Sequence, residues 1–370
     1  MLTLNDAQRK MLALMAKTVP AQGKSSRSES ALALTIVHDT GYVFAEAYGR
    51  DLGARMTIGT SGDDATPPTS VNGGALAAVL DKMSGDVSLV RETESLRISA
   101  DGLSVSLEFM TDHADLLEMR DANATASVNA DLLFSVTEGM SKFAATKDAV
   151  NALMCIYWNP ATGELATSDT HTIACCRMSL DTECKEHPGV LLRPDFFKDA
   201  SKFMSGQITA TFGSNIVRFD SPDMMMQYSI MDGRFPRYNE IMDKLEVPNS
   251  VDMNATELRE ALAFIQAARH QDDIPQAVRF VTDGKNLLLR EQTTSRDEKK
   301  SAKTSITIDG HDGAEMRIDL RGEYVKRCIM GDGSVCIEYR DANTPVRIKN
   351  NSGADTDCIT CVVSPIYPKN

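Results

Sequence analysis

The sequence predicts an α+β protein, dominated by antiparallel sheet and built as three similar domains in tandem. Two series of recurring helical segments, and the alternating strands between them, lead to that class. The first series is LNDAQRKMLALMAK, VNADLLFSVTEGMSK and MNATELREALAFIQAAR. Each opens on an asparagine (Asn5, Asn129, Asn254) and continues with apolar residues at helical spacing, the order of an N-cap followed by an amphipathic helix. The intervals are 129 − 5 = 124 and 254 − 129 = 125, too even for unrelated helices. The second series is ALAAVLDKMSGDVSLV, FFKDASKFMSGQITATF and EYVKRCIMGDGSVCIEY, each a short helix stopped by glycine and followed by period-two strand residues. Met83, Met204 and Met330 hold equivalent places in it, at intervals of 204 − 83 = 121 and 330 − 204 = 126.

Between the helices, ALALTIVHD, LRISADGLSVSLEF, ITATFGSNIVRFD, AVRFVTDGKNLLLRE and CITCVVSPI read as strands. Most alternate apolar and polar residues, as sheet with one face on a core requires. Each copy therefore carries two helices and antiparallel sheet. Polar, turn-forming stretches at 122–127 (DANATA) and 246–251 (EVPNSV) set the domains at 1–124, 125–247 and 248–370. A doubly wound nucleotide fold is excluded, since neither long alternating helices nor a glycine fingerprint is present.

Composition agrees. A chain of 370 residues with 42% apolar, 6% aromatic and 25% charged residues is ordinary globular material for two or three cores. No run of 18 apolar residues occurs, and MLTLNDAQRK lacks the order of a secretory leader, so a soluble, cytoplasmic protein without a membrane partner is expected. Eight cysteines spread along this length read as reduced thiols, and the one CxxC, Cys358-Ile-Thr-Cys361, has no second pair or histidine cluster to complete a metal site. Neither a metal nor a cofactor is expected. His171 and Asp169 suggest acid–base chemistry, but no nucleophile elbow, phosphate loop or carboxylate pair accompanies them, so no enzyme is predicted.

The net charge of −13 excludes a protein coated in positive charge. The bases nevertheless fall on every repeated helix: Arg9, Lys10 and Lys17; Lys82; Lys142, with Lys147 just beyond; Lys198 and Lys202; Arg259 and Arg269; Lys326 and Arg327. Such placement suits helices that share one surface facing a polyanion. Ordinary solvated helix faces remain the alternative, because Asp81, Asp131, Glu138, Asp195 and Glu257 stand on the same segments.

The run Tyr228-Ser-Ile-Met-Asp-Gly-Arg-Phe-Pro-Arg-Tyr238 resembles the "DGRFPDY" segment of the bacterial sliding clamp, the beta subunit of DNA polymerase III. Further matches follow in order. Thr167-Ser-Asp-Thr-His-Thr-Ile-Ala174 resembles "ATDGHRLA", Gly213-Ser-Asn-Ile-Val-Arg218 resembles "GSNNIR", Gly313-Ala-Glu-Met316 matches "GAEM", and Val362-Val-Ser-Pro365 resembles "VVMP". The likeness spans the chain, strongly in the second and third copies and faintly in the first. It implies three clamp domains per subunit, a homodimer closed into a ring, and duplex DNA held without regard to sequence by the basic helices. It also implies a replicative polymerase and a clamp loader as partners.

The same resemblance implies a groove for partner peptides. Its matching positions are Leu153, Ser168, Thr170, His171, Thr172, Ile173, Pro236, Glu240, Ile241, Tyr324, Val362, Val363, Ser364, Pro365 and Ile366. These are mainly aliphatic with a few polar groups, as a peptide groove needs. Departures are specific: Thr170 stands for the family's glycine, Thr172 for its arginine, Ser364 for its methionine, and the tail continues as Tyr367-Pro-Lys-Asn370. Such divergence is what a phage- or plasmid-borne form would show. Arg269-His270-Gln271-Asp272-Asp273, near the implied dimer joint, is more polar than an apolar interface. A clamp-fold protein that binds replication partners without encircling DNA is the alternative function.

Overall fold

Each long helix starts on an asparagine, as its sequence requires. Asn5 Oδ1 accepts from Gln8 N at 2.9 Å while Gln8 Oε1 accepts from Asn5 N at 3.1 Å, a reciprocal capping box. Asn254 caps Glu257 N at 3.0 Å in the same way. The structure, a computed structural model, describes residues 1–21, 33–49, 51–60, 66–111, 116–146, 150–268, 277–292 and 301–366. Among them lie seven α-helices: α1 (Asp6–Ala21), α2 (Gly73–Leu80), α3 (Ala130–Ser141), α4 (Pro194–Ala200), α5 (Tyr238–Lys244), α6 (Ala255–Ala267) and α7 (Gly322–Cys328). Six are the expected ones. The extra helix, α5, follows the DGRFP segment.

The repeat appears as a repeated strand pairing. In each copy the strand entering the long helix pairs antiparallel with the strand leaving the short one: Leu2–Leu4 with Val87–Arg91, Ala124–Asn129 with Gln207–Phe212, and Asn249–Asn254 with Ser334–Tyr339. Met83, Met204 and Met330 are all buried at the foot of the short helices. The glycines two residues past the first two (Gly85, Gly206), and Gly331 in the third copy, take positive φ, so one turn closes all three.

Two compact units result. One comprises Met1–Asp131, Leu180–His187 and Asp195–Ile230; the other Leu132–Ser179, Pro188–Pro194 and Met231–Asn370. The first holds a four-stranded and a nine-stranded sheet, the second a twelve-stranded sheet. The middle third of the chain contributes to both units because sheets run across the repeat junctions. Met224–Ser229 pairs with Leu52–Thr60 in the first unit, and Thr360–Val363 pairs with Thr172–Arg177 in the second. Compactness therefore follows the sheets rather than the sequence intervals.

The polar stretches read as boundaries are partly strand. Ala124–Asn129 and Asn249–Asn254 both pair, with Ala126, Val128, Val251 and Met253 turned inward at every second position. Alternation outweighs the turn propensity of the residues between. LRISADGLSVSLEF, read as strand, forms a hairpin, Ser95–Ala100 with Leu103–Glu108, turning on Asp101 and Gly102 at φ 47° and 78°. Met224-Met-Met226 lies in the strand Met224–Ser229. The long helices bury one stripe each: Leu12, Met15, Ala16 and Val19 on α1, and Leu258, Ala261, Leu262 and Ile265 on α6.

Candidate functional site

In the second unit the strands Glu164–Ser168 and Thr172–Arg177 form a hairpin, with Ser168 opposite Ile173. The turn between them is organised by Asp169. Its Oδ1 accepts from His171 N at 3.1 Å, Thr172 N at 2.8 Å and Thr172 Oγ1 at 2.7 Å, and Ser168 Oγ donates to the Thr172 carbonyl at 2.7 Å. Thr170 is thereby held at φ 75°, a left-handed conformation that a β-branched residue adopts only under constraint. This is the place of the family's glycine.

The other Asp169 oxygen accepts from Arg327 on α7 at 2.9 Å. Burial alone would raise this carboxyl. The Thr172 hydroxyl, the Arg327 guanidinium and the Thr172 N–H outweigh it, so its pKa lies below the ordinary 3.8. Arg327 also donates to the Lys142 carbonyl at 2.8 Å and lies 4.6 Å over the Tyr324 ring, while His171 stacks on Tyr324 at 5.6 Å. Asp169 is thus a turn organiser and ion-pair partner. A cavity of about 670 Å³ beside these groups is lined by Lys142, Asp169, Gln266, Glu323, Tyr324, Lys326, Arg327 and Ile329.

The C-terminal strand completes this wall. Thr172 lies opposite Val363 and Ile173 opposite Val362, and Ser364 N donates to the His171 carbonyl at 3.0 Å. Val362, Val363 and Pro365 are buried and serve packing. Ser168, Thr172, Leu153 and Tyr324 are buried as well. The accessible groups are Thr170, His171, Ile173, Ser364 and Ile366.

The DGRFP segment acts first as an anchor. Phe235 is buried, stacks on Tyr157 at 5.5 Å, and meets Tyr238 edge-on at 5.9 Å. These rings join Ala152, Cys155, Ala166 and Leu191 in one cluster, against which Ile173 and Met242 pack. One face of α5, Tyr238 and Met242, therefore shares a core with Ile173 of the hairpin. On the same helix Ile241 is 46% exposed, and Glu240 pairs with Arg237 at 3.1 Å. Pro236 is exposed.

The basic positions divide by their partners. Arg9 is buried, donating to the Leu80 carbonyl at 2.6 Å and to Asp6 at 2.6 Å, so the expectation of a DNA-facing Arg9 is corrected: it caps the end of α2. Arg327, with its side chain 27% exposed, donates to Asp169 at 2.9 Å and to the Lys142 carbonyl at 2.8 Å. Lys10 pairs with Asp6, Lys17 with Asp81, Lys202 with Asp199 and Arg259 with Asp332. Among the described residues, Lys82, Lys142, Lys198 and Lys326 pair with no carboxylate. Lys147 and Arg269 lie outside the described residues, as does the segment 270–273.

Sequence reasoning missed Arg327 as the buttress of the hairpin, because its partner stands 158 residues away. It also missed Tyr157 and Met242. The Asp-x-x-Thr spacing at Asp169 and Thr172 carried a turn signal that could have been used. Among the described residues no group of three His, Cys, Asp or Glu is placed to hold a metal, and no helix is long and apolar enough to cross a membrane.

No family model matches the chain. The beta sliding clamp of Salmonella typhimurium is 24% identical over 160 residues, a match spanning 43% of this chain and 42% of that protein. The DNA polymerase III beta subunit of Thermotoga maritima superposes with a TM-score of 0.79 at 16% identity, covering 100% of this chain and 99% of that one. The sliding clamp of Pseudomonas aeruginosa bound to griselimycin gives 0.84 at 16% identity, with 99% of each chain covered. The Helicobacter pylori beta clamp bound to a DNA ligase peptide gives 0.79 at 15% identity, again with 99% of each covered. This chain has the fold of the bacterial sliding clamps along its whole length.

Proposed function

We propose that this chain is a DNA sliding clamp: a non-catalytic processivity factor that encircles duplex DNA and tethers a replicative polymerase and other partners through a peptide groove. The observation that carries the reading is the end-to-end match to clamp structures, a fold shared over 99–100% of the chain. On this reading the domains are 1–124, 125–247 and 248–370. The groove comprises the Asp169 hairpin, the exposed side of α5 and the last strand, and takes a short peptide with aliphatic or aromatic anchors. A clamp loader would open the ring.

The internal pairings support a homodimer. The last strand of one copy's meander joins a strand of the preceding copy twice, Met224–Ser229 with Leu52–Thr60 and Thr360–Val363 with Thr172–Arg177. Applying that rule once more leaves Leu103–Glu108 of the first copy and Lys303–Thr307 of the third, each paired along one side only among the described residues. Joining these edges between two chains would carry the sheet across the subunit joint and close a ring. Leu103 and Phe264, 56% and 55% exposed, would then be covered.

Retention on DNA tests the reading. A ring should persist on closed circular DNA and slide off once the circle is cut, because its hold is topological. Charge reversal at Lys82, Lys142, Lys198 and Lys326 together should weaken retention and flatten its salt dependence without altering sequence preference. Equal loss from circular and linear DNA, together with a lasting 40.4 kDa monomer, would replace encirclement with partner binding alone.

A further inference from the structure

The CxxC motif, Cys358-Ile-Thr-Cys361, supplies neither of its cysteines to the proposed groove residues, and among the described residues no metal cluster includes it. Its two thiols each contact a different cysteine. Cys361 meets Cys328 on α7, and both are fully buried. Cys358 ends the 3-10 helix Asp355–Cys358, is exposed, and contacts Cys176 on the strand Thr172–Arg177. The register explains the second contact. Cys175 lies opposite Thr360, so the antiparallel run brings Cys176 alongside the segment just before that strand.

We propose that Cys176 and Cys358 form a modification site, a thiol pair that hydrogen peroxide converts to a disulfide tying the strand Thr172–Arg177 to the segment that feeds the strand Thr360–Val363. The Cys358 sulfur attacks the peroxide O–O bond, giving Cys358 sulfenic acid and one water. The Cys176 sulfur then forms the S–S bond and displaces the sulfenic hydroxyl, which leaves as a second water with the Cys176 proton. Two thiols are oxidised, one peroxide is reduced, and a dithiol reductant reverses the step by exchange.

Accessibility orders the steps. Peroxide reaches Cys358 in its exposed turn, whereas Cys328 and Cys361 are sealed from solvent. Contact with Cys358, then burial, holds the Cys176 thiol protonated, and burial pushes Cys175 up to about 12, so neither initiates. The product would fasten a joint otherwise held by four residue pairs, Thr172–Cys175 against Thr360–Val363, directly behind the wall formed by Ile173 and Val362. The site stands on this geometry whether or not the chain is a clamp.

The test uses the full chain, treated with peroxide and digested without reductant for mass spectrometry. A cross-linked peptide carrying Cys176 and Cys358, two hydrogens lighter than its parts and separated by dithiothreitol, is expected. The melting transition should rise by about 5 °C, because the bond closes a long loop. Cys358→Ser, at an exposed position, should abolish both, while Cys176→Ser should leave a Cys358 sulfenic acid that dimedone traps. A Cys358–Cys361 disulfide, an intermolecular bond through Cys358, or Cys358 driven to sulfinic acid while Cys176 stays reduced would each overturn the proposal.

Discussion

Replacing Asp169 separates its two tasks, organising a turn and pairing with a cation. Asp169→Asn keeps an oxygen for the three donors at 2.7–3.1 Å but removes the charge opposite Arg327. Asp169→Ala removes all four interactions and leaves the guanidinium without its counterion. One charge-assisted bond in a partly buried setting is worth about 1–1.5 kcal/mol, and three neutral bonds add roughly 2 kcal/mol. The Asn variant should therefore lose about 1–1.5 kcal/mol and the Ala variant about 3 kcal/mol, shifts of roughly 2–6 °C and 6–12 °C. Because the folded carboxyl titrates below 3.8, its contribution is complete above the unfolded value and is lost as pH falls through the folded one. The wild-type advantage over Asn should thus be complete above 3.8 and shrink as the pH falls below it. Thermal melts at neutral and acid pH measure both arms. Equal shifts for Asn and Ala, or additive effects of Asp169→Asn and Arg327→Ala, would refute the division of labour.

Other outcomes follow from single side chains. Arg9→Ala should destabilise the protein by about 2 kcal/mol, since a buried carbonyl loses its donor, while leaving any DNA retention unchanged; melting and filter retention check the two halves. Thr170→Gly should raise stability by about 0.5–1 kcal/mol, because relief of left-handed strain exceeds the added freedom of the unfolded chain; a lower melting temperature would contradict the strain. Ile241→Asp should reduce capture of a polymerase-derived peptide at least tenfold, measured by calorimetry. Its melting curve should stay unchanged, since the side chain is half exposed.

The repeat was legible because its signals are local. An asparagine cap, a helical apolar stripe, a terminating glycine and a period-two strand each declare themselves within a few residues, and their recurrence near 125 residues needs no knowledge of contacts. The proposed groove was legible only through resemblance. Nothing in Thr167–Ala174 says that its turn leans on Arg327, and nothing near Arg9 says that it is aimed at Leu80 rather than outward. Both arginines sit on helices whose periodicity places them at the edge of the apolar stripe, where a long side chain turns inward or outward depending on a carbonyl or carboxylate supplied by a distant segment. The stretches 122–127 and 246–251 show the converse: each runs into a paired strand, Ala124–Asn129 or Asn249–Asn254, which local polarity does not reveal without the partner strand that makes alternation decisive.

That sorting of the bases bears on how a ring could move. Lys10, Lys17, Lys202 and Arg259 sit in ion pairs whose basic side chains are 68%, 50%, 37% and 31% exposed, and such pairs contribute only about 0.2–1 kcal/mol. A passing phosphate can take the place of the carboxylate with little net change in free energy, and the carboxylate recovers the base when the phosphate leaves. Lys82, Lys142, Lys198 and Lys326 have no such carboxylate among the described residues and would contact phosphate directly. On the proposed reading, in which these bases face the DNA, a few open cations with several loosely held ones would attract a polyanion yet offer no deep well at any one register, which is the condition for sliding. Neutralising Asp6, Asp81 and Asp332 together should then deepen the wells: retention on closed circles should lengthen and diffusion along DNA, followed by single-molecule tracking, should slow. Unchanged diffusion with stronger retention would mean that these pairs stay closed while the ring moves.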